Sequence, residues 1–172
     1  MCSKPSGAIG RQVWTRDIRG LTVSNDYNAL GQVTKKTYPD GSTEEWTFNQ
    51  WGDSTSFKDR AANITSNVFD NLGRVTKQID ARGFSTFYGY NDADQVAAIT
   101  NALNQVWQFA YDEEGRVTQI TYPDASTETR AYDALGNVTQ IVKGAVSMAY
   151  TYDALNNRTA IIVDGETVET AS

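Results

Sequence analysis

The stretch YDEEGRVT at residues 111–118 decides the fold, because it returns 21 residues later as YDALGNVT at residues 132–139. A fixed period of this size predicts a repeat architecture in which each unit packs against its neighbours. Function is then to be sought first on an extended surface. The same register gives seven units, each led by an aromatic residue, with a last step of 20 instead of 21: Tyr27, Phe48, Phe69, Tyr90, Tyr111, Tyr132 and Tyr152.

Composition limits the classes of function. Of the 172 residues, 40% are hydrophobic and 21% are charged, which is enough apolar content for a folded chain. The formal net charge is −6 and the basic residues are scattered, which argues against a nucleic-acid partner. No run approaches the ~20 apolar residues of a membrane-spanning helix, so the chain is not expected to be transmembrane.

The chain has no histidine and one cysteine, Cys2. Histidine-dependent nucleophilic triads, histidine-ligated metal sites and internal disulfides are therefore excluded. With no cofactor fingerprint either, we predict no catalytic residue, no metal and no cofactor. Cys2 raises the alternative of a lipid anchor, but an anchor requires a complete motif, so an ordinary free thiol is favoured.

Each unit begins with a turn. The position after the leading aromatic is always Asp or Asn. Three residues later, every repeat has glycine, aspartate or asparagine, and this restriction predicts a left-handed backbone there. We predict type I hairpin turns closed by this residue, with the apolar residue before it, such as Leu30 or Trp51, tucked under the sheet edge. The left-handed positions are Gly31, Gly52, Gly73, Asp94, Gly115, Gly136 and Asn156. Turns of this kind are predicted at 28–31, 70–73, 112–115 and 133–136.

A second turn lies halfway through the unit. Residues 39–42 read PDGS and residues 123–126 read PDAS, 84 residues or four periods apart, and proline followed by aspartate is typical of tight turns. Two turns in 21 residues leave room for two strands of ~6 residues.

The segments between the turns predict strands. They are rich in valine, threonine and isoleucine, and aromatic residues alternate along them, as in Trp107, Phe109 and Tyr111. We therefore predict an all-β chain, a spiralling antiparallel sheet of tandem 21-residue hairpins with ~14 strands. The aromatic residues would share one buried face.

The repeats define the expected organisation of the chain. Residues 1–26 read as a degenerate repeat or cap, residues 27–159 as seven repeats, and residues 160–172 as a final strand or tail. Unpaired edge strands favour pairing. We expect the end segments to cap the sheet, or the chain to associate end to end with other repeat segments.

The motifs YDALGNVTQIV, YDEEGRVTQITYPD and FDNLGRVTKQID resemble the YD-repeat, or Rhs-repeat, family over residues 27–158. The last unit departs from the pattern, with Asn156 and Arg158 in the glycine and valine columns. The resemblance implies a bacterial secreted or surface-exposed protein whose repeats build a hollow shell, or β-solenoid, that in toxins encloses an effector. It also implies that far more than seven repeats close a shell, so this chain would be a fragment, a short member or part of an assembly.

The resemblance favours a non-catalytic scaffold, because the sequence printed here contains no DPxG-type autoproteolytic segment. Aromatic residues on one sheet face are normally packing residues. The alternative is a carbohydrate-binding, adhesin-like module that stacks neutral glycans on aromatic residues near turns, since an acidic surface disfavours anionic ones. Its candidate contacts are Tyr38, Trp51 and Tyr122.

Overall fold

The structure is a computed structural model that describes residues 13–16 and 18–170. These residues form sixteen β-strands and no helix, which confirms the predicted all-β class and exceeds the ~14 strands expected from seven units. The strands are β1 (Val13–Arg16), β2 (Thr22–Tyr27), β3 (Val33–Thr37), β4 (Thr43–Phe48), β5 (Ser54–Lys58), β6 (Ile64–Phe69), β7 (Val75–Ile79), β8 (Ser85–Tyr90), β9 (Val96–Thr100), β10 (Val106–Tyr111), β11 (Val117–Thr121), β12 (Thr127–Tyr132), β13 (Val138–Lys143), β14 (Val146–Tyr152), β15 (Arg158–Val163) and β16 (Glu166–Thr170).

Strand order in the sheet follows chain order, so the fold is a succession of hairpins. A β-bulge recurs where a leading aromatic residue ends its strand. Tyr111 pairs with Val117 after a register shift at Ala110, and Tyr132 pairs with Val138 after a shift at Ala131. A type I turn closed by a left-handed residue produces this bulge. Backbone hydrogen bonds across the turns confirm the predicted turns at the repeat starts and at 39–42 and 123–126.

The chain divides into two compact units, 1–86 and 87–172. In the described part of the first unit, two aromatic side chains meet across neighbouring strands. Trp46 and Phe57 are cross-strand partners whose ring centroids lie 5.1 Å apart. In the second unit some aromatic residues have an isoleucine as cross-strand partner, as in Phe109 with Ile120 and Tyr150 with Ile161.

The expected burial of the aromatic face is only partial in the structure. All seven leading aromatic residues are half-buried, and no apolar side chain of residues 14–16 and 18–168 is fully buried. The physical reason is that each unit is a single layer of sheet, so no second layer covers the aromatic face. Stability must then come from backbone pairing and cross-strand side-chain contacts, each worth roughly 0.2–1 kcal/mol.

The apolar residues inside the first turns do not tuck under the sheet edge, which corrects a second expectation. They are exposed, because no other element of the described residues covers these turns. The exposed fractions are 69% for Leu30, 67% for Trp51, 71% for Leu72, 77% for Leu135 and 83% for Leu155.

Some expectations stay predictions. Cys2 lies outside the described residues. The division into 1–26, 27–159 and 160–172 also stays a prediction. In the part of the chain that the structure describes, no helix is long and apolar enough to cross a membrane.

Candidate functional site

The first turn of each repeat is held by its Asp or Asn side chain. In the turn after β2, the Asn28 Oδ1 accepts hydrogen bonds from the amides of Leu30 at 3.0 Å and Gln32 at 2.9 Å. The Gly31 amide donates to the Asn28 carbonyl at 3.0 Å, which closes the type I turn. The recurrence of Asp or Asn at this position of each repeat is therefore explained by turn capping.

The residue closing each first turn has a left-handed backbone, as its composition predicts. This conformation costs an L-residue with a Cβ atom about 1–2 kcal/mol, which explains the preference for glycine. The φ angles are 80° at Gly31, 96° at Gly52, 79° at Gly73, 62° at Asp94, 82° at Gly115, 88° at Gly136 and 69° at Asn156.

Tyrosine hydroxyl groups connect successive repeats. In the second unit the Tyr111 hydroxyl donates to the Val96 carbonyl at 2.7 Å, and the Tyr132 hydroxyl donates to the Val117 carbonyl at 2.7 Å. Tyr152 makes the corresponding bond at 2.9 Å. In each case the acceptor is the first strand residue of the preceding repeat, so the leading tyrosine joins two neighbouring hairpins as well as packing on the sheet.

The residue after the left-handed position makes a second connection between repeats. The Gln32 Nε2 donates to the Gly52 carbonyl at 2.7 Å, across to the next first turn. The Arg116 Nη1 donates to the Asp133 carbonyl at 3.3 Å, and its guanidinium lies 4.8 Å from the Tyr132 ring centroid. Polar side chains at this position therefore hold adjacent turns together along one edge.

The three candidate glycan contacts lie in different surroundings. Trp51 is exposed on a first turn of the first unit. Tyr38 is half-buried, and two cations cover its ring: the Lys36 Nζ at 4.9 Å and the Arg60 guanidinium at 4.3 Å. Tyr122 is half-buried with the Lys143 Nζ at 3.9 Å from its ring centroid. The structure does not bring the three residues together, and their contact with a glycan stays a prediction.

Glu128 is the most buried charged residue described, and the sequence analysis did not single it out. Its Oε1 accepts a hydrogen bond from the Arg130 Nη2 at 2.6 Å. Its Oε2 accepts one from the Tyr122 hydroxyl at 2.8 Å. The Arg130 hydrogen bond, and then the one from Tyr122, lowers the pKa of this carboxyl. The spacing from Tyr122 to Glu128 repeats that from Tyr38 to Glu44, which is the signal that could have found it.

A groove of about 760 Å³ opens beside Tyr122 in the second unit. It lies between the turn after β9 and the turn after β11, and residues of both turns line it together with Trp107, Tyr122, Asp124, Ser126 and Lys143. We call it the Tyr122 groove. Its lining combines two aromatic rings with one carboxylate and one ammonium group, so it offers both stacking and charged hydrogen bonds to a ligand.

The acidic side chains of the described residues hold turns instead of gathering into a metal site. No group of three or more potential metal ligands occurs there. The turn aspartates are engaged by turn amides, as in Asp70, whose Oδ1 accepts from the amides of Leu72 and Arg74 at 2.9 Å and 3.0 Å. These carboxylates serve the backbone.

The turn aspartates predict acid sensitivity. A hydrogen bond from the Asn137 side chain and a second one from the Asn137 backbone amide lower the pKa of Asp133 below 3.8. The backbone amide of Asn157 lowers the pKa of Asp153 in the same way. A carboxyl whose pKa is lower when folded stabilises the fold above its unfolded pKa, and this contribution is lost as pH falls through the folded pKa. We expect the free energy of unfolding to fall below about pH 3.8, measured by urea titration at several pH values.

Asp133→Asn tests the cause of this pH dependence. The amide oxygen preserves the cap, as Asn91 shows by accepting hydrogen bonds from the amides of Ala93 at 3.0 Å and Gln95 at 2.9 Å. The variant should lose stability less steeply in acid than the unmodified chain. An unchanged slope would show that the Asp133 carboxyl does not contribute.

The turns, strands and bonds between repeats define a tandem β-hairpin repeat protein. Residues 90–127 match the family model described as RHS Repeat. The resemblance to the YD-repeat or Rhs-repeat family is therefore confirmed. No curated protein matches the chain.

Solved toxin-complex structures share the fold. The Photorhabdus luminescens Tc holotoxin pore matches 83% of this chain with a TM-score of 0.66 at 16% sequence identity. The crystal structures of TcdB2-TccC3-TEV and TcdB2-TccC3-Cdc42 match 93% and 95% of it, each with a TM-score of 0.67 at 14% identity. The chain spans only 9% to 11% of the length of these structures, so the similarity identifies the fold alone.

Proposed function

We propose that the chain is a non-catalytic scaffold, a segment of the repeat wall that encloses a toxin effector or forms a surface-exposed protein layer. The observation that carries the proposal is the column of tyrosine hydroxyl bonds between repeats, at 2.7 Å from Tyr111 and Tyr132. In these bonds and in the turn caps, the recurring polar side chains stabilise the sheet.

The partners in this proposal are other repeat segments. Edge strands present unpaired backbone groups that further hairpins can satisfy, and the solved structures with the same fold are about nine times as long as this chain. An extended wall could also face the outside of a bacterial cell, which is the location we propose.

Protease protection tests the scaffold proposal. The complete natural gene product that contains these repeats would be digested, and the fragments identified by mass spectrometry. We expect the repeat sheet and any polypeptide it encloses to resist cleavage in the unmodified protein. A variant with a weakened repeat, Tyr132→Ala, should expose the enclosed polypeptide, while Tyr150→Phe should not.

Two results would contradict the scaffold proposal. One is a gene product that neither encloses polypeptide nor associates with other repeat segments by light scattering. The other is turnover of a hydrolase substrate that is abolished by replacing one carboxylate.

A carbohydrate-binding module is the second candidate, and the exposure of Trp51 favours it. The indole is 67% exposed, and the Trp51 amide donates to the Asn49 Oδ1 at 3.0 Å, which fixes the turn that presents it. A fixed and exposed indole is a suitable platform for the apolar face of a neutral sugar.

Trp51→Ala separates the two candidates. Because the ring is mostly exposed, the substitution should change the free energy of unfolding by less than about 1 kcal/mol. If Trp51 is a glycan platform, binding on a glycan array should disappear. Leu72→Ala, at the corresponding position of the next repeat, is the control that should leave binding unchanged. An array without any Trp51-dependent signal would eliminate this candidate.

A further inference from the structure

The Tyr122 groove has a filled counterpart in the first unit, at the turn 84 residues earlier. There the Tyr38 hydroxyl donates to the Glu44 Oε2 at 2.8 Å, and the Asp40 Oδ1 accepts from the Ser42 hydroxyl at 2.6 Å. The Tyr122 turn repeats this arrangement, with 2.8 Å from the Tyr122 hydroxyl to Glu128 and 2.6 Å from the Ser126 hydroxyl to Asp124. The two turns therefore present the same groups.

An arginine of the chain itself fills the first of these turns. The Arg60 guanidinium lies 4.3 Å from the Tyr38 ring centroid. Its Nη2 donates to the Asp40 Oδ2 at 2.5 Å, and its Nε donates to the Ser42 Oγ at 2.8 Å. Ring, carboxylate and hydroxyl together form a three-point site for a planar guanidinium, which suits the fixed fork of donors on arginine.

No arginine occupies the second turn, because 84 residues after Arg60 the chain has Gly144. The connection from β13 to β14 is a two-residue turn, shorter than the one that carries Arg60. In the described part of the chain, no cationic side chain forms an ion pair with Asp124, and the hydrogen bonds of its carboxylate to Ser126 use Oδ1. The Asp124 Oδ2 is thus available at the groove.

Lys143 does not replace the missing arginine. Its ammonium group lies 3.9 Å from the Tyr122 ring centroid. The Ser126 hydrogen bonds and, to a smaller extent, the charge of Lys143 lower the pKa of Asp124, but Lys143 makes no ion pair with Asp124 within the described residues. At the filled turn, Lys36 and Arg60 both lie over the Tyr38 ring, so one lysine and one arginine fit around a single tyrosine there. Lys143 is not the counterpart of Lys36, because Ile120 stands 84 residues after Lys36; it lies one residue before Gly144, so the Tyr122 ring carries one lysine and no arginine.

We infer that the Tyr122 groove binds the guanidinium group of an arginine side chain presented by a partner protein. The guanidinium donates to the Asp124 Oδ2 and the Ser126 Oγ and stacks on Tyr122, as Arg60 does at Tyr38. Trp107 lines the same groove and offers a second ring for the arginine stem. A net charge of −6 favours the approach of such a cation.

The experiment is an NMR titration of the protein with L-argininamide, with L-lysinamide and methyl glucopyranoside as comparison probes. We expect argininamide to bind at one site, to shift the indole signal of Trp107, and to bind more tightly than either comparison probe. Asp124→Asn should weaken binding roughly tenfold or more, because the amide keeps the turn cap but removes the charged acceptor.

The filled turn supplies the matched controls. Asp40→Asn should leave argininamide binding at the Tyr122 groove unchanged, since Asp40 belongs to the turn that Arg60 fills. Arg60→Ala should open that turn and raise the number of bound argininamide molecules from one to two. Asp40→Asn also tests whether the loss of a turn aspartate acts through folding instead of through the groove.

Several outcomes would overturn the inference. They are absence of argininamide binding, equal binding to the unmodified protein and to Asp124→Asn, and a stoichiometry of one in Arg60→Ala. Preferential binding of methyl glucopyranoside would show that the groove is a sugar site instead.

Discussion

Replacing Tyr132 with alanine is expected to lower the free energy of unfolding by about 3 kcal/mol. Truncating the half-buried ring should cost about 2 kcal/mol, less than the 3–5 kcal/mol of a fully buried aromatic residue. Losing the hydroxyl bond to the Val117 carbonyl should cost about 1 kcal/mol more. The measurement is chemical denaturation followed by circular dichroism at neutral pH.

Two conservative variants separate the ring from the hydroxyl. Tyr132→Phe keeps the ring and should cost about 1 kcal/mol. Tyr150→Phe should cost almost nothing, because the Tyr150 hydroxyl makes only a 3.8 Å contact to the Met148 sulfur. Equal losses in the two phenylalanine variants would contradict the role assigned to the hydroxyl bond between repeats.

Replacing Gly136 with alanine is expected to cost about 1–2 kcal/mol. The φ angle of Gly136 is 88°, and a Cβ atom there would meet no atom within 4 Å, so the cost is backbone strain alone. The free energy of unfolding from urea titration gives the result directly.

Gly89→Ala is the matched control for Gly136→Ala. Gly89 lies within β8 without a positive φ, and a Cβ atom there would make an ordinary 3.6 Å contact with the Ala98 Cβ. Fewer unfolded conformations should then make this variant neutral or more stable by up to about 1 kcal/mol. A similar loss in both variants would contradict the left-handed requirement at Gly136.

The turn chemistry could be predicted from sequence because it is local. Glycine, aspartate and asparagine are the residues that adopt positive φ at low cost, so their column at Gly31, Asp94 and Asn156 predicts the conformation directly. The strands follow, since the two turns of each repeat leave only short β-branched and aromatic segments between them.

The exposure of the aromatic and apolar residues could not be predicted in the same way. Alternation shows that Trp107 and Phe109 share a face, but it does not show whether a second layer covers that face. For the same reason the side chains of Leu72 and Leu135 were expected under the sheet edge and instead point to solvent.

Contacts between repeats also needed the structure. The Tyr132 hydroxyl reaches the Val117 carbonyl, 15 residues earlier, only because the sheet register places them together. The Tyr122 groove likewise depends on the short turn at Gly144, which in the sequence is visible only as a last step of 20 instead of 21.

The central claim is that each hairpin is stabilised by its neighbours and not by a common core. Hydrogen exchange of individual peptides in Tyr132→Ala, compared with the unmodified chain, tests this most directly. In a repeat array, stability is a sum of local and nearest-neighbour terms. Faster exchange should therefore be confined to β11, β12 and β13, with the strands of the first unit unchanged. A uniform increase across all strands would contradict the claim.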